Sequence, residues 1–204
     1  MNRKLHKATD KLINGLIYPF YQLERDMELP IGNKLENDAE HSWSLAVAAC
    51  ALAPTIDPEL NTGKIAEFAI VHDLVEVYSG DVSIYDTDPE LHNNKEENEL
   101  QAMAQLRKDY AHLPWIAATI DAYERKDTPE ANYVWAMDKY IAMCMRRMHA
   151  QPFFHKKGIT KEFFDHSMIR VRQKVAAYPA VAQLFDDLLL DFDAHPEWFA
   201  HQST

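Results

Sequence analysis

Residues 70–82 constrain this sequence most, because they combine an apolar helical pattern with a dense set of ionisable side chains. An unpaired charge is costly to bury, so ionisable groups in such a helix either pair with one another or bind a metal. On a helix, Glu76 lies one turn after both His72 and Asp73. The helix is then expected to end at the glycine that precedes Asp81. Taken alone, the stretch fits either half of a metal site with an acid–base pair or a core helix whose polar edge meets solvent.

The charge balance limits the classes of partner. The chain carries 32 acidic and 21 basic residues, which gives a net charge of −11 with histidine neutral. Nucleic acids and anionic membranes require a positive protein surface, so neither is expected as a partner. A small phosphorylated substrate is compatible with this charge if a bound metal supplies the local positive field.

Length and cysteine content indicate the domain organisation and the compartment. A chain of 204 residues with 47% hydrophobic residues predicts one domain over residues 1–204. Cys50 and Cys144 lie in apolar helical patterns and form no Cys-x-x-Cys pair, which favours a reducing compartment. Residues 1–10 are too polar for a signal peptide, and no apolar run reaches the ~18 residues that a membrane span needs. These features predict a cytoplasmic protein with no membrane partner.

Helical periods fill most of the chain, and no convincing β-type alternation interrupts them, so the sequence predicts an all-α fold. Asp38, Asp88, Thr128 and Thr160 are expected to cap helices, and Pro19 is expected to kink the first helix. The predicted helices cover about residues 4–27, 38–53, 64–78, 89–110, 113–126, 130–149, 160–178 and 180–191. Residues 28–37 and 151–158 are predicted loops.

Two further polar residues stand in otherwise apolar helices. His41 precedes an apolar run on the second predicted helix, and Asp138 lies within the sequence VWAMDKYI. Each alone would more often be a cap, a surface residue or half of an ion pair, and Lys139 is an available partner for Asp138. Together with His72 and Asp73, they supply two imidazoles and two carboxylates, a set that suits one divalent transition metal. Four protein ligands on a six-coordinate ion leave two positions open, as catalysis requires.

The order of these residues, with their neighbours, resembles a known family. The segments are AEHSW around His41, VHDLVEVYSGDV from residue 71, and TPEA from residue 128 followed by MDK around Asp138. This H…HD…D pattern resembles the HD-domain metal-dependent phosphohydrolases, in particular the branch that includes bacterial 5′-deoxynucleotidases. The resemblance spans about residues 12–144. It implies an all-α HD-domain helical bundle, one divalent metal ion, hydrolysis of nucleoside (in particular deoxynucleoside) 5′-monophosphates, and a homodimer.

The resemblance also assigns roles to individual residues. The implied metal ligands are His41, His72, Asp73 and Asp138. Glu76 and Asp81 match the acidic residues that handle the attacking water and the leaving 5′-oxygen. Arg25 matches a phosphate-binding arginine, but Asp26 follows it where the family commonly has an aromatic residue. The KLEN sequence of residues 34–37 also departs from the family's Arg-x-Glu-Asn, so the sequence leaves the nucleobase contact undefined.

Two other functions stay open from the sequence. One keeps the metal but acts on a nucleoside triphosphate or another small phosphate ester. The other is a non-catalytic nucleotide- or metal-binding module, against which the retained Glu76 and Asp81 argue. Aromatic residues in the last third of the chain, together with the resemblance, favour a homodimer; they are Phe153, Phe154, Phe163, Phe164, Trp198 and Phe199.

Overall fold

The computed structural model describes residues 2–30, 34–81, 83–85 and 95–201. In those ranges the chain is mainly helical, with one two-stranded antiparallel sheet, so the predicted all-α class is confirmed. No helix in them is long and apolar enough to cross a bilayer. The elements are α1 (Asn2–Leu12), a π-helical turn (Ile13–Ile17), α2 (Tyr18–Phe20), β1 (Glu24–Glu28), β2 (Leu35–Asn37), α3 (Asp38–Ile56), α4 (Thr62–Val71), α5 (Glu76–Ser79), α6 (Lys95–Asp109), α7 (Pro114–Glu124), α8 (Pro129–Arg147), α9 (Ala150–Lys157), α10 (Lys161–Val175), α11 (Pro179–Ala194) and a 3₁₀ turn (Pro196–Trp198).

Helix α8 lies at the centre of the larger hydrophobic core. Its residues Tyr133, Val134 and Met137 are fully buried, and the helix packs against α3, α4, α10 and α11. Aromatic side chains fill the C-terminal part of the same core; they are Phe153, Phe154, Phe164, Phe185, Phe192 and Phe199. Each fully buried large side chain contributes about 1.5–3 kcal/mol. This core therefore fixes the helices that carry the predicted site residues.

A second hydrophobic cluster joins the N-terminal segment to α6 and α7. Leu16 of the π-helical turn packs with Leu106 and Tyr110, and Val71 at the end of α4 belongs to the same cluster. A Cβ atom at Gly15 would lie 2.8 Å from the Tyr110 hydroxyl oxygen, so this close approach requires glycine. Helix α4 thus lies between both clusters.

The first predicted helix, over residues 4–27, is wrong in its second half. The chain passes through the π-helical turn, leaves the helix after α2 and continues as β1, which pairs with β2. Pro19 accounts for the disturbance, because it has no N–H for the helical ladder and its ring crowds the preceding turn. The predicted loop at residues 28–37 therefore contains a strand.

The segment around residues 70–82 is also not one continuous helix. Helix α4 ends before His72, a turn covers residues 72–75, and α5 follows. Bonds of the i→i+3 type form this turn, as where the Glu76 N–H donates to the Asp73 carbonyl oxygen at 2.9 Å. Gly80 ends α5 as predicted, with a φ of 77° that favours glycine. His72 and Asp73 therefore lie on a tight turn rather than along a helix edge.

The predicted helix caps are partly confirmed. Thr128 and Thr160 cap α8 and α10 through their side-chain oxygens. Helix α3 is capped by Asn37, which displaces the predicted cap Asp38 into the first turn. The predicted cap Asp88 lies outside the described residues.

Two predicted boundaries near prolines are wrong: the end of a helix at residue 53 and the loop at residues 151–158. Pro54 lies inside α3, near its C-terminal end, and does not stop the helix. The predicted loop at residues 151–158 is helix α9, because Pro152 falls in its first turn, where a missing N–H costs nothing. Gly158, with a φ of 67°, ends that helix.

Candidate metal centre and catalytic cavity

The four predicted metal ligands converge from three elements. His41 lies in α3, His72 and Asp73 in the turn after α4, and Asp138 in α8. The Nε2 atom of His41 is 2.9 Å from Asp138 Oδ1, and the Nε2 atom of His72 is 2.9 Å from Asp73 Oδ2. Asp138 Oδ1 also lies 3.9 Å from His72 Nε2. Ligand atoms of His41, His72 and Asp73 all lie within 4.8 Å of one another, close enough to share one cation.

The two imidazoles are oriented as metal-binding histidines usually are. The Nδ1 atom of His72 lies 3.0 Å from the carbonyl oxygen of Ala69 and, because a carbonyl only accepts, Nδ1 carries the proton. The buried Nε2 atom then presents its lone pair to the cluster, without a hydrogen-bond partner among the described residues. In His41, Nδ1 faces Glu36 Oε2 at 3.6 Å, which leaves Nε2 for the cluster. The residues present therefore fit a divalent cation.

The ligand carboxylates are held in their charged form. Burial raises the pKa of Asp73, but the neighbouring His72 and Arg25 lower it more, so the net pKa falls below the ordinary range. Burial likewise raises the pKa of Asp138, and Lys139 with the two histidines brings it well below its usual value. The Lys139 Nζ atom lies 2.5 Å from Asp138 Oδ2. Two anionic ligands can thus balance the charge of a divalent ion.

The pKa of His41 shifts upward, opposite to the pKa values of the two aspartates. Burial and the charge of Arg25 lower its pKa, but the carboxylates of Asp138 and Glu36 raise it more, to about 9. Without a cation, this imidazole therefore carries a proton at neutral pH.

The predicted acid–base pair lies beside the ligand cluster. Carboxylate oxygens of Glu76, Asp73 and Asp38 lie within 4.8 Å of one another, and one Glu76 oxygen is buried without a hydrogen-bond partner among the described residues. Burial, followed by the charges of Asp73, Asp81 and Asp38, raises the pKa of Glu76 to about 10. Glu76 and Asp81 both line the cavity that reaches the cluster. The arrangement places a carboxyl group that can hold a proton near anionic carboxylates.

Arg25 lies at the acidic end of the same cavity. Its Nη1 atom donates to Asp38 Oδ1 at 3.0 Å and to Asp73 Oδ2 at 2.9 Å. Burial raises the pKa of Asp38 to about 6, although Arg25 opposes the shift. The arginine thus brings positive charge among four carboxylates, next to the predicted ligands.

The cavity extends from this charged end towards an aromatic and apolar end. The charged end is lined by Arg25, Asp73, Glu76, Asp81, Asp138 and Lys139. Arg146, with Tyr85 and Met143 nearby, lines the same cavity, as do Met27, Val171 and Lys174. Five of the seven residues that the sequence assigned to metal, acid–base or phosphate roles therefore line one cavity. The other two, His41 and His72, lie behind its wall against Asp138 and Asp73.

Several surrounding residues were missed. Asp38 was read as a helix cap, but it is fully buried and bound to Arg25. The Asn37-x-x-Glu40 spacing fits a capping box, and this sequence signal assigns the cap to Asn37 rather than to Asp38. Glu36, next to His41, is the glutamate of the KLEN sequence and matches the family's Arg-x-Glu-Asn at that position, which was a usable signal. Arg146 gave no local signal.

Two solved structures share this fold. A predicted metal-dependent phosphohydrolase from Magnetospirillum magnetotacticum superposes with a TM-score of 0.75 at 24% identity, covering 96% of this chain and 95% of that chain. A conserved hypothetical protein from Pyrococcus furiosus gives a TM-score of 0.57 at 20% identity, over 86% of this chain and 98% of that chain. At these identities the likeness concerns the fold.

Sequence comparison defines the family. The HD domain family matches residues 23–178, and the chain therefore belongs to that family. Human 5′-deoxynucleotidase HDDC2 is 26% identical over 159 residues, which are 75% of this chain and 71% of the human protein. The 5′-deoxynucleotidase hdd1 of Schizosaccharomyces pombe is 25% identical over 160 residues, 76% of each chain. The family resemblance predicted from the H…HD…D pattern is thereby confirmed.

Proposed function

We propose that this protein is a phosphohydrolase that removes the phosphate of nucleoside 5′-monophosphates, deoxynucleosides in particular, with the aid of one divalent metal ion. The observation that carries the proposal is the convergence of two histidines and two aspartates at the wall of the cavity that Glu76 and Asp81 line. Membership of the HD domain family and two relatives named 5′-deoxynucleotidases support the same reaction.

The proposed metal ligands are His41, His72, Asp73 and Asp138. When bound, a divalent ion (manganese, cobalt, iron, nickel, zinc or magnesium) would offset the phosphate charge and lower the pKa of water. Two groups would orient the imidazoles toward such an ion. The Ala69 carbonyl oxygen faces Nδ1 of His72, and Glu36 Oε2 faces Nδ1 of His41.

Two cationic side chains are placed to hold the substrate phosphate. We propose that Arg25 binds it, because a planar guanidinium matches two phosphate oxygens and this one lines the cavity beside the ligand cluster. Lys139 adds a second positive charge at the same end of the cavity. Both are anchored by carboxylates, Arg25 by Asp38 and Asp73 and Lys139 by Asp138.

Glu76 and Asp81 move the protons of the proposed reaction. A water oxygen attacks phosphorus while the bond from phosphorus to the 5′-oxygen breaks. One carboxylate accepts the proton of the water, and the other carboxyl group donates a proton to the leaving 5′-oxygen. The products are inorganic phosphate and a nucleoside, so the atoms and protons balance.

The isosteric variants Glu76→Gln and Asp81→Asn test these roles. Each should lower turnover of a deoxynucleoside monophosphate on the order of 10²-fold, while metal content stays nearly intact. p-Nitrophenyl phosphate separates the two roles, because its leaving group departs without a proton; the acid variant should recover most activity on it. Near-normal turnover in both variants on both substrates, with metal content confirmed, would defeat the assignment.

A phosphate-release screen tests the substrate class. Deoxynucleoside and ribonucleoside mono-, di- and triphosphates are each assayed with the six candidate metals. Preference for 5′-monophosphates is the expected result. Release only from triphosphates, or from another small ester, would replace the proposed substrate, and a bound ion with no turnover would indicate a binding module.

We also propose that the protein forms a homodimer in a reducing compartment such as the cytoplasm. Helix α3 is apolar on both faces, with Leu45 and Ala49 buried and Trp43 and Val47 half exposed or more. A helix that is apolar all round is usually covered on both sides, which supports a second copy on the outer face. Cys50 and Cys144 are both free thiols, which fits a reducing environment.

A further inference from the structure

Arg146 lies in the cavity at the end away from the metal-ligand cluster. Its side chain is almost fully buried, with only 3% of the residue exposed. The guanidinium carbon lies 3.4 Å from the ring centroid of Phe153, and Nη2 donates to the backbone oxygen of Asp26. The Nη1 atom has no hydrogen-bond partner among the described residues. Arg146 thus lines the cavity as a buried cation in which one nitrogen, Nη1, has no acceptor in the described part of the chain.

Such a group is costly unless something binds it. The carboxylate of Asp26 has other partners: Oδ2 accepts from Ser83 Oγ at 2.9 Å, and Oδ1 lies 2.8 Å from Lys157 Nζ. Its negative charge still acts on Arg146, as do those of Glu28 and Glu36. Burial lowers the pKa of Arg146, but an arginine side chain remains protonated in proteins. A buried cationic donor normally has an acceptor for its N–H groups, and the cavity that Arg146 lines can admit one.

The position of Arg146 on α8 matches the far end of a nucleotide. Arg146 follows Asp138 by eight residues, which is about 12 Å along a helix. That distance is comparable with an extended nucleoside monophosphate from its phosphate to the outer edge of its base. A phosphate at the cluster would therefore bring a base edge to Arg146.

The walls at this end suit a base rather than a second phosphate. The Tyr85 ring centroid lies 5.6 Å from the guanidinium carbon, and Met143 lies next to Tyr85. Flat aromatic and thioether surfaces favour a planar, weakly hydrated ring. A phosphate group would instead lose its hydration against these apolar surfaces.

We propose that Arg146 recognises the nucleobase by donating from Nη1 to a ring carbonyl oxygen. Guanine and hypoxanthine carry this acceptor at position 6, and thymine and uracil carry it at position 4. Adenine and cytosine carry an amino donor at the same positions, so they would leave Arg146 opposed by another donor. The site would therefore prefer oxo bases, an inference that rests on the proposed nucleotide substrate.

Two substrate pairs test the inference. Deoxyinosine and deoxyadenosine monophosphates differ in the 6-oxo or 6-amino group of the base and in the adjacent N1, which donates in the oxo base and accepts in the amino base. Deoxyuridine and deoxycytidine monophosphates differ in the same way at position 4 and N3. The wild-type protein should favour the oxo member of each pair by about tenfold or more in kcat/KM, because an amino base would leave the buried Nη1 donor of Arg146 unpaired. Equal kcat/KM values within both pairs would overturn the inference without any variant.

The variant Arg146→Met removes the donor while keeping a side chain that can pack on Phe153. It should bring both oxo-to-amino ratios close to one, and Arg146→Lys should recover only part of the preference. Arg147→Met, at a half-exposed arginine paired with Asp191, is the matched control and should leave the ratios unchanged. Ratios that persist in Arg146→Met would show that Arg146 only supports the fold.

Equilibrium binding separates this inference from the proposed reaction. Calorimetry with deoxyinosine and deoxyadenosine monophosphates measures base preference in wild type, Arg146→Met and Arg147→Met whether or not turnover occurs. Turnover without Arg146-dependent preference would reject the inference and keep the nucleotidase. Arg146-dependent preference in binding, without turnover on any ester, would keep the inference and reject the nucleotidase.

Discussion

At the scale of single residues, Asp73 connects the metal-ligand cluster to Arg25. Its Oδ2 atom lies 2.9 Å from both His72 Nε2 and Arg25 Nη1. We expect Asp73→Ala to lose bound metal and turnover, measured by elemental analysis and phosphate release, because it removes one of the four proposed ligands. Asp191→Ala removes a half-exposed carboxylate on α11 and should keep both. Stoichiometric metal in the Asp73 variant would contradict the ligand assignment.

His41 gives metal binding a defined pH dependence. Its pKa lies at about 9 rather than 6.5, since burial and Arg25 lower it but Asp138 and Glu36 raise it more. A protonated imidazole has no lone pair for a cation, so binding below pH 9 releases a proton. Metal affinity should therefore rise by up to about tenfold per pH unit and level off above about pH 9. Calorimetry in buffers of different ionisation enthalpy counts the protons released on metal binding. If no proton were released at pH 7, the prediction would be refuted.

At the scale of elements, the start of α3 determines where His41 lies. Asn37 and Glu40 cap the helix reciprocally: Asn37 Oδ1 accepts from the Glu40 N–H at 2.9 Å, and Glu40 Oε2 accepts from the Asn37 N–H at 3.1 Å. Asn37→Ala should lower the free energy of unfolding by about 1 kcal/mol and weaken metal binding, because His41 follows in the first turn. Denaturant titration and metal titration measure the two effects.

Thr160→Ala provides the matched control for this cap. It removes the cap of α10 at the end away from the metal ligands, so the loss in unfolding free energy should be similar while metal affinity stays unchanged. If both variants bound metal equally well, the cap of α3 would have no bearing on the site.

Elements that depend on neighbouring residues could be predicted from sequence, and elements that depend on distant contacts could not. Thr128, Thr160 and Gly80 mark helix ends through local chemistry, and all three were predicted correctly. Strand β1, with the sequence ERDME, has no β-type pattern and buries only Met27. Its conformation comes from pairing with β2, since strand preference depends strongly on context.

The same distinction applies to the site. The order His41, His72-Asp73, Asp138 is a sequence signal because each ligand type interrupts an apolar stretch. The turn that places His72 and Asp73 follows from packing and could not be read from helical spacing. Arg146 resembles a basic residue at a helix C-terminus, which the helix dipole already explains, so only its burial distinguishes it.

At the scale of the whole molecule, the aromatic residues that suggested a dimer belong mostly to the core. Four of the six are buried, namely Phe153, Phe154, Phe164 and Phe199. Phe163 and Trp198 are partly buried against the same core. These residues give no support to a dimer, because α9, α10 and α11 cover them within one chain. The single domain over residues 1–204 stays a prediction, which α4 supports by lying between both hydrophobic clusters.

The proposed homodimer now depends on the outer face of α3. Trp43 and Val47 are 69% and 50% exposed, four residues apart on that face, and exposed apolar side chains so arranged mark contact surfaces. Light scattering at high micromolar concentration should give about twice the 23.6 kDa of one chain. Trp43→Glu should shift the mass to one chain, because a charge in a dry interface is costly. Leu190→Glu, at an equally exposed leucine on α11, should leave the dimer intact. A wild-type mass of one chain would refute the dimer. Dissociation by Leu190→Glu alone would indicate that the dimer contact lies on α11 instead of α3.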